Sequence, residues 1–356
     1  MQDESIVLSY LSLFALTSFF ITLAVNNISN NSKDFLIDKN FTKPQAFHSM
    51  PIPRSGGIAS AISLIIFFVT YYFFFEIIFL DYVFLSLSLF CIGFLDDVKI
   101  LTAPKMRLLL MIVALLFLIN FFSIEIASID VKFLNKLLEN NIFSTLFVLL
   151  CFLFIVNGAN LIDGFNGLLA IQLLVINIAL LIVNFHNNDF HFVIFIVAQS
   201  IILLCFLLFN FPRAKIFFGD SGAYLFGSLT ALNIIKTNNS NPDVSSFFFC
   251  ILLFYLFFEV FFSFFRKLYL KKSPLKPDSK HLHMLSYKVL KGIFKLKDCN
   301  YLNSVIINLV YFFAISPALY LRNNAYFCKI WFFLLIILYI LIYIRLYSST
   351  KKQIDI

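Results

Sequence analysis

The chain has 356 residues, 61% hydrophobic, 19% aromatic and only 13% charged, with a net charge of +8 and a mean hydropathy of +0.93. Soluble globular domains carry roughly a quarter charged residues, so this composition excludes one and points to an all-α integral membrane protein. In such a chain the positive balance reflects topology before nucleic-acid binding, and nucleic acid is not an expected partner.

The first element is an apolar run at 6–25, preceded by Asp3 and Glu4. A signal peptide would carry positive charge there, so the run is read as a first transmembrane helix with its N-terminus outside. A span needs roughly 17–25 apolar residues. Such runs recur near 56–75, 78–95, 107–123, 142–159, 167–185, 191–211, 221–236, 246–268, 302–321 and 326–346. The expectation is therefore about eleven transmembrane helices in one domain, 1–356. The loops at 26–55, 96–107, 157–166, 212–220 and 266–301, with the C-terminal tail, hold 22 of the 27 Lys and Arg residues, and the opposite side holds 5. That split makes the first set cytoplasmic and places the C-terminus inside. The six cysteines are dispersed without a C-x-x-C, so inert thiols are expected, not a disulfide framework or zinc site.

Along the cytoplasmic side five stretches stand out. HSMPIPRSGG (48–57) joins stiffening prolines to a glycine pair, with Lys43, His48 and Arg54 able to meet phosphate; a helix breaker in a basic loop is the plain alternative. GFLDDVK (93–99) places Asp96 beside Asp97. Two adjacent carboxylates repel, and a divalent cation or a shared proton is their natural relief, unless water simply solvates them. NGANLIDGFNGL (157–168) carries the only acid between Glu139 and Asp189, namely Asp163. A carboxylate among glycines next to hydrocarbon needs a partner, and a metal or nucleotide suits it. Asn160 and Asn166 offer amides, and Gly164 lets backbone approach a phosphate or base. FFGDSGAYLFG (217–227) puts Asp220 where an apolar helix begins, either as an N-cap or as a magnesium ligand, with Phe217 able to stack on a base. SPLKPDSKHLHMLSY (273–287) carries His281 and His283 in the most basic loop. Two apart on a helix, they would lie on different faces, which favours phosphate binding or proton transfer over joint metal chelation; two surface histidines is the alternative. Glu259 lies inside an apolar run and is a functional candidate on that ground. His186 and His191 flank an outer loop and read as ordinary surface residues. A transporter would place its ionisable groups nearer the bilayer midplane. Acids and imidazoles at one water-facing surface instead suit chemistry between a soluble substrate and a membrane-held one.

Taken in order, these blocks resemble the polyprenyl-phosphate N-acetylhexosamine-1-phosphate transferases, a family that includes the phospho-MurNAc-pentapeptide translocase. The resemblance rests on H-x-x-x-I-P-R-x-G-G (48–57), G-F-x-D-D (93–97), N-x-x-N-x-x-D-G (157–164), F-x-G-D-S-G (217–222) and S-P-x-x-x-D-x-x-H-x-H (273–283), spanning about 38–285. It implies transfer of a sugar-1-phosphate from a UDP-N-acetylhexosamine to undecaprenyl phosphate, with release of UMP, in the inner membrane with the site facing the cytoplasm. Magnesium is the implied cofactor, with manganese as the alternative, and a homodimer is an open option. The resemblance makes Asp220 the first metal ligand and Asp163 an assistant at the same centre. It makes Asp96 and Asp97 the groups that deprotonate the lipid phosphate or attack. Asn160, Gly164, Phe165, Asn166 and Phe217 would hold the uridine, and His281, His283, His48 and Arg54 would face phosphates. Glu259 stands where the family has an acid. The chain departs from the family at Asn166, where a second aspartate is usual, and at Ser279, Lys280 and Met284, where an Arg-Gln pair and a third histidine are usual. With only His-x-His in the last block, it is more similar to the branch making O-antigen, teichoic-acid linkage or enterobacterial-type glycolipids. GlcNAc or a deoxy-N-acetylhexosamine is then the expected sugar. The translocase activity of peptidoglycan synthesis and a non-catalytic carrier of lipid-linked sugars are the alternatives.

Overall fold

The computed structural model describes residues 2–31, 36–38, 51–101, 103–185, 189–273, 278–294 and 299–354, and these form helices with one short β-ribbon. Lys43, His48 and His186 lie outside the described residues. In chain order the elements are α1 (Gln2–Asn31), β1 (Ile37–Asp38), β2 (Ile52–Pro53), α2 (Gly56–Phe75), α3 (Leu80–Asp97), α4 (Pro104–Phe121), α5 (Lys132–Leu138), α6 (Asn141–Ile162), α7 (Leu168–Asn184), α8 (Phe190–Asn210), α9 (Gly219–Ser240), α10 (Ser246–Leu252), α11 (Phe254–Tyr269), α12 (Leu282–Phe294), α13 (Asn300–Tyr320) and α14 (Ala325–Ile354). The local chemistry sets several starts. Pro104 opens α4, where its missing N–H costs nothing. The side chains of Asn140, Asp189 and Ser245 accept from the first free amides of α6, α8 and α10, as N-caps do.

Each apolar run of the sequence is a helix, with the 246–268 run divided into α10 and α11, which meet at a 75° bend. Length and apolarity alone bear out fewer than the eleven spans expected. Among the described residues seven helices are long and apolar enough to cross a membrane, or eight if the bent pair is one span. α7 has 17 residues. α3 carries Asp81, Asp96 and Asp97 within 18 residues. α9 is polar at both ends and small in the middle, and nearly all of its residues are buried. It is packed against α2, α3, α6 and α7. A helix surrounded by protein needs no apolar surface of its own, so its composition understates its depth. By contrast α4 turns Leu109, Val113, Phe117 and Phe121 outward and is poorly buried, as a lipid-facing helix would be.

One end of the assembly gathers the functional stretches. β1 pairs antiparallel with β2, Ile37 opposite Pro53 and Asp38 opposite Ile52. Pro53 carbonyl accepts from Phe217 N at 2.8 Å, and the amides of Gly56 and Gly57 donate to Phe217 and Phe218 carbonyls at 2.9 Å each. The start of α2 is thus bonded to the start of α9. A Cβ on Gly57 would lie 2.3 Å from Ser221 Oγ and 2.4 Å from Gly222 N, so only glycine permits this approach. At the other end Lys236 meets Asp81 at 2.5 Å, joining the last turns of α9 to the first of α3. His191 is not the ordinary surface residue expected: its Nδ1 is 2.7 Å from Tyr71 Oη, between α8 and α2.

Candidate active site

The first cluster is built on the N-terminus of α9. Gly219 sits at φ +76°, and a Cβ there would come within 2.6 Å of Asp97 Oδ2. Asp97, the last residue of α3, accepts from Asp220 N at 3.0 Å, Ser221 N at 2.9 Å and Ser221 Oγ at 2.7 Å. Asp97 therefore serves a neighbouring helix as its capping acid, using both oxygens, where the exposed amides and the helix dipole favour negative charge. Asp220 is not the N-cap considered from sequence. It stands in the first turn of α9, behind Phe218 at the cap position, and its carboxylate is free to face cations.

Those cations are arginines. Arg107 Nη1, from the first turns of α4, lies 2.5 Å from Asp96 Oδ2 and 2.6 Å from Asp220 Oδ2. Arg54 donates from Nε and Nη2 to Asp38 Oδ2 at 3.0 and 2.6 Å, and its Nη1 stands 3.6 Å from Asp97 and 3.9 Å from Asp220. The repulsion expected between Asp96 and Asp97 is thus relieved separately, by an arginine for one and a helix end for the other. Asp163 follows the last residue of α6, where the helix breaks as expected. Burial, and then the charge of Asp220, push its carboxyl up to about 8, with Arg54 opposing. Asp163 is therefore a carboxyl that takes up or gives a proton near neutral pH.

Magnesium takes one or two carboxylates and keeps waters and substrate phosphates for the rest of its shell. Asp96 and Asp220, which share one positively charged nitrogen, fit such a donor set. Among the described residues no three His, Cys, Asp or Glu side chains converge as a protein cage, which magnesium does not require.

The second cluster is the histidine block. His281 precedes α12 instead of lying on it, so the two histidines do not point apart: their rings stack 5.6 Å apart at 5°. Both are buried, His281 at 2% and His283 at 0% exposure, so neither is a surface histidine. His281 Nδ1 is 2.9 Å from Glu259 Oε1, and Glu259 also accepts from Leu282 N at 3.2 Å and Tyr339 Oη at 2.5 Å. His283 Nδ1 is 3.2 Å from Tyr255 Oη. Burial pushes the His283 imidazole down to about 3, so it is neutral across the working range. Lys280, one of the departures from the family pattern, places Nζ 3.3 Å from Tyr347 Oη.

Between the clusters lies the 163–167 turn. Phe165 is buried, edge-on to His283 at 5.7 Å and tilted against Tyr287 at 5.3 Å. Asn166 donates its amide N–H to Asn300 Oδ1 at 2.7 Å and its side-chain Nδ2 to Pro212 carbonyl at 3.0 Å. Gly167 N donates to Asn210 Oδ1 at 2.6 Å. Asn166 thus ties the turn to the loop after α8 and the start of α13. Asn160 and Phe217 are partly exposed near the same end. A Cβ on Gly164 would meet nothing within 4 Å, so the fold itself does not require glycine there. Arg107 is the residue that sequence reasoning missed: it was counted only as a topological charge.

The family model described as "Glycosyl transferase family 4" matches residues 79–238, which contain Asp96, Asp97, Arg107, Asp163 and Asp220. The chain is 28% identical over 270 residues to an undecaprenyl-phosphate alpha-N-acetylglucosaminyl 1-phosphate transferase of Thermotoga maritima, covering 76% of this chain and 78% of that protein. It is 32% identical to the phospho-N-acetylmuramoyl-pentapeptide-transferase of Clostridium perfringens over 149 residues, 40% of this chain and 47% of that one. With the enzyme of the same name from Listeria monocytogenes it shares 32% over 163 residues, 43% and 50%. The chain thus spans about half the length of those two relatives.

Proposed function

For a chain matched over residues 79–238 by the model of glycosyl transferase family 4 and similar over most of its length to a GlcNAc-type relative, we propose transfer of N-acetylglucosamine 1-phosphate from its UDP derivative to undecaprenyl phosphate. The observation that carries the reading is the meeting of Asp96, Asp97 and Asp220 with Arg54 and Arg107, beside Asp163, at one end of a multi-pass helical assembly. In the reaction a phosphate oxygen of the lipid attacks the sugar-bearing phosphorus. A new P–O–P bond forms, the bond to the UMP phosphate breaks, and UMP leaves. The task is to bring anions together, so positioning and countercharge do most of the work.

Arg54 and Arg107 supply fixed positive charge for the two phosphate groups. Asp220, with Asp96 beside it and Asp163 near, would hold magnesium, which supplies charge neutralisation at the phosphoryl group when bound. Asp96 or Asp163 takes the proton of the lipid phosphate. Asp97 keeps the α9 end in place and is assigned no proton transfer, because its oxygens are engaged. Phe217, Asn160 and the open face of Gly164 receive the uridine, while Asn166 braces the turn that carries them. The reading sets this end at the cytoplasmic face of the inner membrane, which the basic loops support, with α3, α7 and α9 completing eleven crossings inside a protein surround.

The long match to the GlcNAc-type relative supports that sugar, and the shorter matches support the pentapeptide branch less. A donor panel tests this. Purified full chain is incubated with undecaprenyl phosphate, magnesium and, in separate reactions, UDP-GlcNAc, a UDP-deoxy-N-acetylhexosamine or UDP-MurNAc-pentapeptide. Lipid-linked product with UDP-GlcNAc is the expected result; product only with the pentapeptide donor assigns the chain to the other branch.

A further inference from the structure

The helix α14 begins at Ala325, well beyond the last of the motif blocks, yet it reaches into the histidine cluster. Tyr339, Tyr343 and Tyr347 lie four apart on one face, their rings stacked at 6.5 and 6.2 Å. Each touches the 259–281 region at a different level. Tyr339 Oη donates to Glu259 Oε2, Tyr343 Oη donates to Lys280 carbonyl at 3.1 Å and receives Arg266, and Tyr347 meets Lys280. The contact at Tyr339 is the one with chemical consequence.

We propose that Tyr339 is a positioning residue for His281: by donating to the second oxygen of Glu259, it keeps that acid a carboxylate and so keeps His281 protonated on Nδ1 and basic on Nε2. The inference rests on the reading that the histidine block faces the reaction, but its structural half stands on geometry alone. Glu259 is 1% exposed, and a buried carboxylate needs donors on both oxygens. Oε1 has two, His281 Nδ1 and Leu282 N. Among the described residues Oε2 has one, Tyr339. A carboxylate can only accept, so the Nδ1 that faces it carries the hydrogen. Without the tyrosine hydroxyl, Oε2 is a bare buried charge that a proton relieves. The Nδ1 hydrogen then passes to Oε1, Nε2 takes up one proton from water, and the resulting acid donates back to Nδ1, which leaves the histidine hydrogen on Nε2. Carboxylate–histidine pairs of this kind set which ring nitrogen meets substrate or metal.

The test uses full chain in detergent with 15N-labelled histidine, and His281 is identified by the signal lost in His281→Asn. At about pH 8, where an ordinary imidazole is neutral, the wild type shows the hydrogen on Nδ1. Tyr339→Phe shifts the population toward Nε2–H and lowers kcat about 10-fold, with KM for both substrates within about twofold. Tyr347→Phe changes neither. Should Tyr339→Phe fail to fold, 3-fluorotyrosine at 339 gives the decision: a stronger donor of the same shape retains the wild-type tautomer and kcat, and a shift toward Nε2–H in that protein overturns the proposal. An unchanged tautomer in folded Tyr339→Phe overturns it, and so does a shifted tautomer with wild-type kcat. If the wild type turns over no donor at all, the transferase reading falls, and the tautomer alone then decides whether Tyr339 sets the ring.

Discussion

At the scale of single residues, the site divides carboxylates by what they can still do. Asp97 has its oxygens on α9 amides, whereas Asp163 is partly buried and held near a proton-accepting state. The folded-state value of about 8 for Asp163 lies above its ordinary value, so its protonated form contributes stability fully below about pH 4. That contribution is lost as pH rises through 8. Asp163→Asn is therefore expected to melt at higher temperature than wild type above neutral pH, with the gap closing toward acid, while transfer activity is abolished. A thermal-shift series from about pH 5 to 9 measures this, and a gap that does not grow with pH contradicts the burial argument. Gly164→Ala asks a cleaner question, because no atom of the fold lies where the methyl goes. Its melting temperature should match wild type while the KM for the UDP-sugar rises about 10-fold; an unchanged KM removes Gly164 from the binding surface. Asp96, Asp97, Asp163 and Asp220 were legible in the sequence because an acid beside apolar runs is costly and therefore conspicuous. Arg107 was not, since a cation at the start of an apolar helix already has a topological explanation. The acid pair it bridges lies on α3 and α9, and only the fold brings those together.

At the scale of elements, α9 explains why the sequence stretches cluster. Its first turn receives the backbone of the Arg54 segment, the carboxylate of Asp97 and the guanidinium of Arg107, so one helix end sets three of the five blocks in register. Removing the Asp97 acceptor leaves two amides and a hydroxyl unpaired. Asp97→Ala is expected to destabilise the protein by about 1–3 kcal/mol, read as an earlier loss of monodisperse protein on heating in detergent. Stability within error of wild type would show that the cap is dispensable. The helix positions themselves were legible from apolar length, and each expected run is a helix. What periodicity did not convey was which helices face lipid. α9 is short of apolar residues because protein surrounds it, and the 75° bend before α11 has no proline or glycine at Leu253 to announce it. α12 was read as a basic loop because its buried face is only a few residues wide. The alternative left open there, two surface histidines, falls because both are enclosed.

At the scale of the whole molecule, the chain is a multi-pass helical protein with its polar chemistry collected at one end, and the proposed cytoplasmic side of that end rests on the Lys and Arg distribution. A cysteine introduced at Ser273, with the six native cysteines replaced, should react with an impermeant reagent only from the cytoplasmic side, and one at Ser128 only from outside. The reverse pattern would invert the orientation and remove the soluble donor from reach. The sidedness rests on the charge count alone; the acids of the site were conspicuous in the sequence, but their assembly was not, because it draws on residues from Asp38 to Tyr339 that only packing brings to one end. The central claim, sugar-phosphate transfer at the Asp220–Arg107–Asp96 cluster, is tested most directly by one assay. UMP release and lipid-product mass are followed for wild type and Asp220→Asn with UDP-GlcNAc, undecaprenyl phosphate and magnesium. The expected result is stoichiometric UMP and GlcNAc-diphosphate lipid with wild type, and at least about 100-fold less of both with the folded variant. Wild-type rates in Asp220→Asn, or no UMP from folded wild type, would contradict it.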